Sequence, residues 1–183
     1  MFSVRASGIP GCLEIQTLLR EDARGNFVKV FHADAFRELG LETTFREEFY
    51  TTSKRGVMRG LHFQVPPCDH VKLVYCTEGS VFDVALDIRR GSPHFGRFAA
   101  FELSAAKGNA VYLDKGFAHG FLVTSASATL VYKLSSVHSP AHDQGILWNS
   151  AGIPWPGDAP VMSARDRALP AFADFDTPFR YEP

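Results

Sequence analysis

Little in this chain suits cross-linking or metal capture. Its 183 residues include only three cysteines, Cys12, Cys68 and Cys76, widely spaced and without a C-x-x-C pair. That argues against both a disulfide framework and a zinc site, and leaves ordinary reduced thiols in or near a core. An excess of charge is missing too: 19 Lys and Arg stand against 20 Asp and Glu, a formal charge of -1. Nothing global calls for nucleic acid or an anionic membrane, so any anion site must be local. No window approaches the roughly 20 apolar residues of a membrane span, and the N-terminus lacks an apolar run ending in a small-residue cleavage site. The expected location is cytoplasmic. Internal repeats, low-complexity segments and linkers are also absent. With 45% hydrophobic residues to fill one core, residues 1–183 are expected to form a single domain.

What is present is mostly strand signal. "HVKLVYC" (70–76), "SVFDVALDI" (80–88), "FAAFEL" (98–103), "NAVYLD" (109–114), "GFLVT" (120–124) and "ATLVYKL" (128–134) are short, rich in β-branched and aromatic residues, and separated by turn residues. In "VFDVALDI", Val81, Asp83, Ala85 and Asp87 fall on one face and Phe82, Val84, Leu86 and Ile88 on the other. Such spacing predicts an all-β sandwich or barrel. Helix signals are sparse: "HADAFRELG" (32–40) closes on glycine, and "SARDRAL" (163–169) opens with a serine cap. The proline-rich end from about residue 153 is expected to form an arm over the barrel.

Two stretches share a texture of glycine, aromatic and histidine: "GVMRGLHFQ" (56–64) and "DKGFAHGFLV" (114–123). Inward-pointing residues of a barrel meet even when far apart in sequence, so His62, Lys72, His119 and Tyr132 become candidates for a shared interior site. By strand parity Lys72 shares a face with His70, Val74 and Cys76, which puts it either in solvent or inside the barrel. Taken singly, each of these residues is more often structural than functional.

The run from Gly108 through Asp114, Gly116 and His119 resembles the second motif of the cupins, double-stranded β-helix barrels, with aspartate in place of a proline. The first cupin motif, with its His-x-His and glutamate ligands, is absent: "GLHFQ" offers only His62. No three-ligand metal site can be assembled, which argues against a metal-dependent dioxygenase.

More specifically, the chain resembles the dTDP-4-dehydrorhamnose 3,5-epimerase family over almost its whole length. The resemblance is carried by "EDARGNF" (21–27), "VMRGLHFQ" (57–64), "KLVYCTEGSVFDVALDIRRGSPHFGRF" (72–98), "GFAHGFLV" (116–123), "ATLVYK" (128–133), "GILWN" (145–149), "IPWP" (153–156) and "SARD" (163–166). It implies a cupin-like jelly-roll barrel with a few accessory helices. It also implies a cofactor-free epimerase acting beside the ketone of a nucleotide-linked 4-keto-6-deoxyhexose. Such chemistry needs a base, a cation or donor at the ketone oxygen, and an acid on the other face. The match makes His62 the base, Asp166 the group that holds its tautomer, Lys72 with Arg59 the oxyanion partners, and Tyr132 the acid. It further implies substrate contacts from Arg24, Phe27, Glu47, Gln64, His119 and His138, with Arg24 on the diphosphate. A homodimer is implied as well, with the segment to about residue 50 at the interface and Arg24 or Phe27 serving the neighbouring chain. "FAAFEL" and "NAVYLD" are expected to have edges that need cover.

The chain also departs from the family pattern. A glutamine and an asparagine two apart, before the Arg-Gly-Leu-His run, are replaced by Glu47 and Phe49; a tyrosine by His138; and a glutamate by Lys29. The reaction core is kept while the rim is altered. A CDP-linked sugar, a single-centre C3 or C5 epimerase, a 3,4-ketoisomerase and a non-catalytic sugar-binding or regulatory cupin therefore stand as alternatives.

Overall fold

The structure is a computed structural model and describes residues 2–157 and 159–182. Among the described residues thirteen strands run in chain order: β1 (Ser3–Ala6), β2 (Cys12–Gln16), β3 (Leu18–Asp22), β4 (Gly25–Lys29), β5 (Glu47–Lys54), β6 (Met58–Gln64), β7 (Lys72–Glu78), β8 (Ser80–Asp87), β9 (Phe98–Ser104), β10 (Asn109–Leu113), β11 (Phe117–Val123), β12 (Ser127–Leu134) and β13 (Asp143–Gly145). Helices α1 (Ala33–Glu38) and α2 (Ala164–Arg167) are each a turn or two long. One sheet has the order β1-β2-β10-β7-β12-β5, the other β13-β6-β11-β8-β9, and β3 and β4 form a separate hairpin. Neighbours in each sheet come from distant parts of the chain, as in a jelly roll, and the architecture is the cupin-like barrel that the resemblance implied.

Three apolar layers follow from strand parity. Val74 and Cys76 of β7, Val81 and Ala85 of β8, Val111 of β10 and Leu130 of β12 meet between the two sheets. The opposite face of β8, Val84 and Leu86, packs with Ile153, Trp155, Met162 and Phe179, so the chain beyond Ile153 covers the outside of the five-stranded sheet. Leu73 and Tyr112 on the outside of the other sheet lie under Phe36 of α1, which is fully buried and edge-on to Phe31 at 4.9 Å. Both faces of β8 are thus covered, which is why alternation in "VFDVALDI" separates two buried sets, one of them carrying the buried Asp83 and Asp87, rather than a buried face from a solvent face.

The structure differs from the sequence expectations in three places. β11 begins at Phe117 rather than at Gly120, so His119 lies within a strand. β5 and β6 are full strands that local composition did not single out. "NAVYLD" has no free edge: β10 sits between β2 and β7, because the N-terminal strand returns to pair with it. "FAAFEL" does lie at an edge: among the described residues β9 pairs only to β8. Among the described residues no helix is long and apolar enough to cross a membrane.

Candidate active site

A cavity of about 340 Å³ opens between the two sheets. Glu47, Phe49 and Thr51 face it from β5, alternating along the strand, and Tyr132 and Leu134 face it from β12. The opposing sheet contributes Arg59, His62 and Gln64 from β6 and His119 from β11. Lys72 closes one wall.

Arg59 and His62 are three residues apart, a spacing that puts side chains on opposite faces of a regular strand. A bulge resolves this. His62 pairs with His119 and Arg59 with Phe121, so three steps on β6 match two on β11. Gly60, at φ +129°, occupies the irregular position, and a Cβ there would stand 2.5 Å from the Gly120 Cα. A Cβ on Gly120 would in turn meet the Arg59 carbonyl oxygen at 2.7 Å. The glycines of "RGLH" and "AHGF" therefore let two backbones approach closely and turn Arg59 and His62 into the same cavity.

His62 Nε2 lies 2.8 Å from Asp166 Oδ1. A carboxylate only accepts, so this nitrogen carries the proton and Nδ1 holds the free lone pair. Asp166 is positioned by α2, whose first turn is capped by Ser163 Oγ accepting from the Asp166 amide at 3.0 Å. Burial pushes the Asp166 carboxyl up, but the hydrogen bond and charge of His62 outweigh it and hold the group below the ordinary carboxylate range. The His62 side chain remains 31% exposed, open to a ligand.

Lys72 is 8% exposed and donates from Nζ to the His62 carbonyl at 2.9 Å. Burial pushes its ammonium down to about 8, against the pull of Asp143 and Asp83. Tyr132 is buried as well, and desolvation drives its phenol well up, so it stays protonated. Its ring stacks on Phe49 at 4.8 Å and meets His119 edge-on at 6.3 Å. His119 Nε2 bonds the buried Asp83 carboxylate at 2.9 and 3.0 Å.

At the mouth, Glu47 accepts from the His138 amide, while His138 Nε2 and Arg165 Nη1 reach the Asp143 carboxylate at 3.2 and 2.9 Å. Gln64 lines the wall, but its amide nitrogen donates to the Cys68 carbonyl at 2.7 Å, tying down the neighbouring loop. Arg24 and Phe27 are not on this cavity. They sit on the β3–β4 hairpin, with Arg24 90% exposed and paired to Asp22, and Phe27 57% exposed. Sequence reasoning missed Asp83, although an aspartate between Val81 and Ala85 on a core face was a signal for a buried partner. It also missed Thr51, His70, Asp143 and Arg165, whose roles depend on which strands and loops meet. Among the described residues no group of three or more His, Cys, Asp or Glu could hold a metal ion.

Comparison with known proteins gives a consistent result. The profile of the dTDP-4-dehydrorhamnose 3,5-epimerase family matches residues 6–174. The dTDP-4-dehydrorhamnose 3,5-epimerase of Shigella flexneri is 40% identical over 171 residues, covering 92% of this chain and 94% of that one. The dTDP-4-dehydrorhamnose 3-epimerase of Streptomyces niveus is 39% identical over 167 residues, covering 90% and 81%. The crystal structure of dTDP-6-deoxy-D-glucose-3,5-epimerase from Legionella pneumophila, in complex with dTDP-4-keto-L-rhamnose, superposes with a TM-score of 0.95 at 34% identity, covering all of both chains. A match of this length in sequence, joined to a shared barrel, means that the chain belongs to the dTDP-4-dehydrorhamnose 3,5-epimerase family.

Proposed function

We propose that this protein is a dTDP-4-dehydrorhamnose 3,5-epimerase, inverting the carbons on either side of the ketone in dTDP-4-keto-6-deoxyglucose. One observation carries the mechanism: a carboxylate-held imidazole, His62, and a protonated phenol, Tyr132, come from opposing sheets across one cavity with Lys72 beside them. His62 Nδ1 takes the proton next to the ketone, and the C–H electron pair moves into the enolate. The charge that develops on the ketone oxygen is met by the Lys72 ammonium, and Arg59 stands on the same cavity. Tyr132 then gives its proton to the opposite face, which inverts the centre, and solvent reprotonates the phenolate and discharges the imidazolium. Two groups are required, since a single base returning its own proton restores the starting configuration. The steps call on side chains alone, with no cofactor.

Proton NMR in D2O with dTDP-4-keto-6-deoxyglucose tests this reading. Deuterium is expected at C3 and C5, and exchange is expected to drop at least a hundredfold in His62→Ala. No exchange by the native protein would sink the proposal. Exchange at one carbon would support the second reading, a single-centre epimerase. That reading has a specific basis: the 3-epimerase relative is nearly as similar as the 3,5-epimerase one, 39% against 40% identical, and Phe49 covers the Tyr132 ring.

The reading extends to assembly. We propose a cytoplasmic homodimer in which the β3–β4 hairpin carries Arg24 and Phe27 to the neighbouring subunit's cavity. Their exposure and their absence from the lining of their own cavity support this, and three unpaired thiols suit a reducing compartment.

A further inference from the structure

Among the described residues, the buried His70 Nε2 has no hydrogen-bond partner, whereas Thr51 Oγ1 stands within reach of the Tyr132 phenol. His70 lines the cavity. Folded proteins satisfy about nine in ten buried polar groups, so an unmet group on the cavity wall points to a ligand that completes it.

We propose that His70 is a substrate-binding residue, donating its Nε2–H to an oxygen of the sugar held beside Lys72. The donor role follows from the neighbours. Gln64 Oε1 accepts from the Ser139 amide at 2.5 Å, which fixes the other end of that side chain as the NH2. This NH2 stands 3.2 Å from His70 Nδ1 and can only donate, so Nδ1 accepts and the ring proton sits on Nε2. The ring is 9% exposed, and burial together with the Lys72 charge pushes its pKa down to about 3, leaving a neutral imidazole that offers one donor. His70 lies two residues before Lys72, whose ammonium bonds the His62 carbonyl, so the oxygen it meets belongs to the sugar rather than to the nucleotide. A purely structural residue at this position would be better served by an apolar side chain, because an unmet buried N–H destabilises the fold.

The inference rests on the nucleotide-sugar reading above, and the test separates the two. His70→Leu is expected to keep or raise the melting temperature of the free protein. It is also expected to raise KM for dTDP-4-keto-6-deoxyglucose about tenfold and leave the affinity for dTDP unchanged. His70→Gln, which keeps a donor, should recover most of the loss. In native protein labelled with 15N-histidine, the Nε2–H signal should move on adding the sugar nucleotide and not on adding dTDP. A fall in melting temperature with unchanged KM, an equal loss of dTDP binding, or a silent Nε2–H would each overturn the proposal. A native protein that exchanges no deuterium would instead overturn the epimerase reading, and this proposal with it.

Discussion

A lysine ammonium inside a barrel loses hydration that one hydrogen bond and two distant carboxylates do not restore, and Lys72 is in that position. The sign of the pH dependence follows. With a folded value near 8 and an ordinary value of 10.5, the unfolded chain holds one more proton between these limits. Stability is therefore reduced fully below pH 8 and recovers as pH rises toward 10.5. Lys72→Met should remove a penalty on the order of 3 kcal/mol, partly offset because the His62 carbonyl loses its donor. At pH 7 the variant is expected to melt higher than the native protein and to turn over at least a hundredfold more slowly; a lower melting temperature would show that the lysine stabilises the barrel. Native activity should fall as pH rises through about 8, as the ammonium at the ketone oxygen is lost.

At the scale of elements, the site depends on how β6 and β11 meet. The backbone contact at Gly60 and Gly120 leaves no room for a methyl group, since the obstructing atoms are main-chain atoms of the facing strand. Gly60→Ala should push the strands apart, lowering stability by a few kcal/mol and activity by two or more orders of magnitude. Thermal melting and deuterium exchange would check both, and a variant with full activity would show that the bulge does not set the His62 position. This is also where sequence reading met its limit. Period-two alternation was legible in β8, whose partners continue without interruption, but a bulge shifts the phase, so Arg59 and His62 could not be placed on one face from spacing alone. The "SARD" serine cap was legible because capping is local, and it delivers Asp166 to His62.

At the scale of the whole molecule, the cavity of one chain holds most of the resemblance-derived residues, while the β3–β4 hairpin holds two that it lacks. Sedimentation is expected to give a dimer. Arg24→Ala should lower activity about tenfold despite lying outside its own cavity. Mixing Arg24→Ala with His62→Ala chains should then restore activity, up to about a quarter of the native level, because each mixed dimer has one intact site. A fully active monomer would rule out the shared site.

Local pattern was enough to establish a β-rich single chain with reduced cysteines, two short capped helices and no global basic surface, because period, turn chemistry and caps act within a few residues. Motif resemblance added the family and named His62, Lys72, Tyr132 and Asp166. Only the tertiary structure decided that His62, Lys72 and Tyr132 stand on one cavity with Asp166 buried behind His62, that Asp83 backs His119, that β10 is covered by β2, and that His70 is buried with a donor unmet. Each of those depends on pairings between strands far apart in the chain, and a strand carries no local record of its partner.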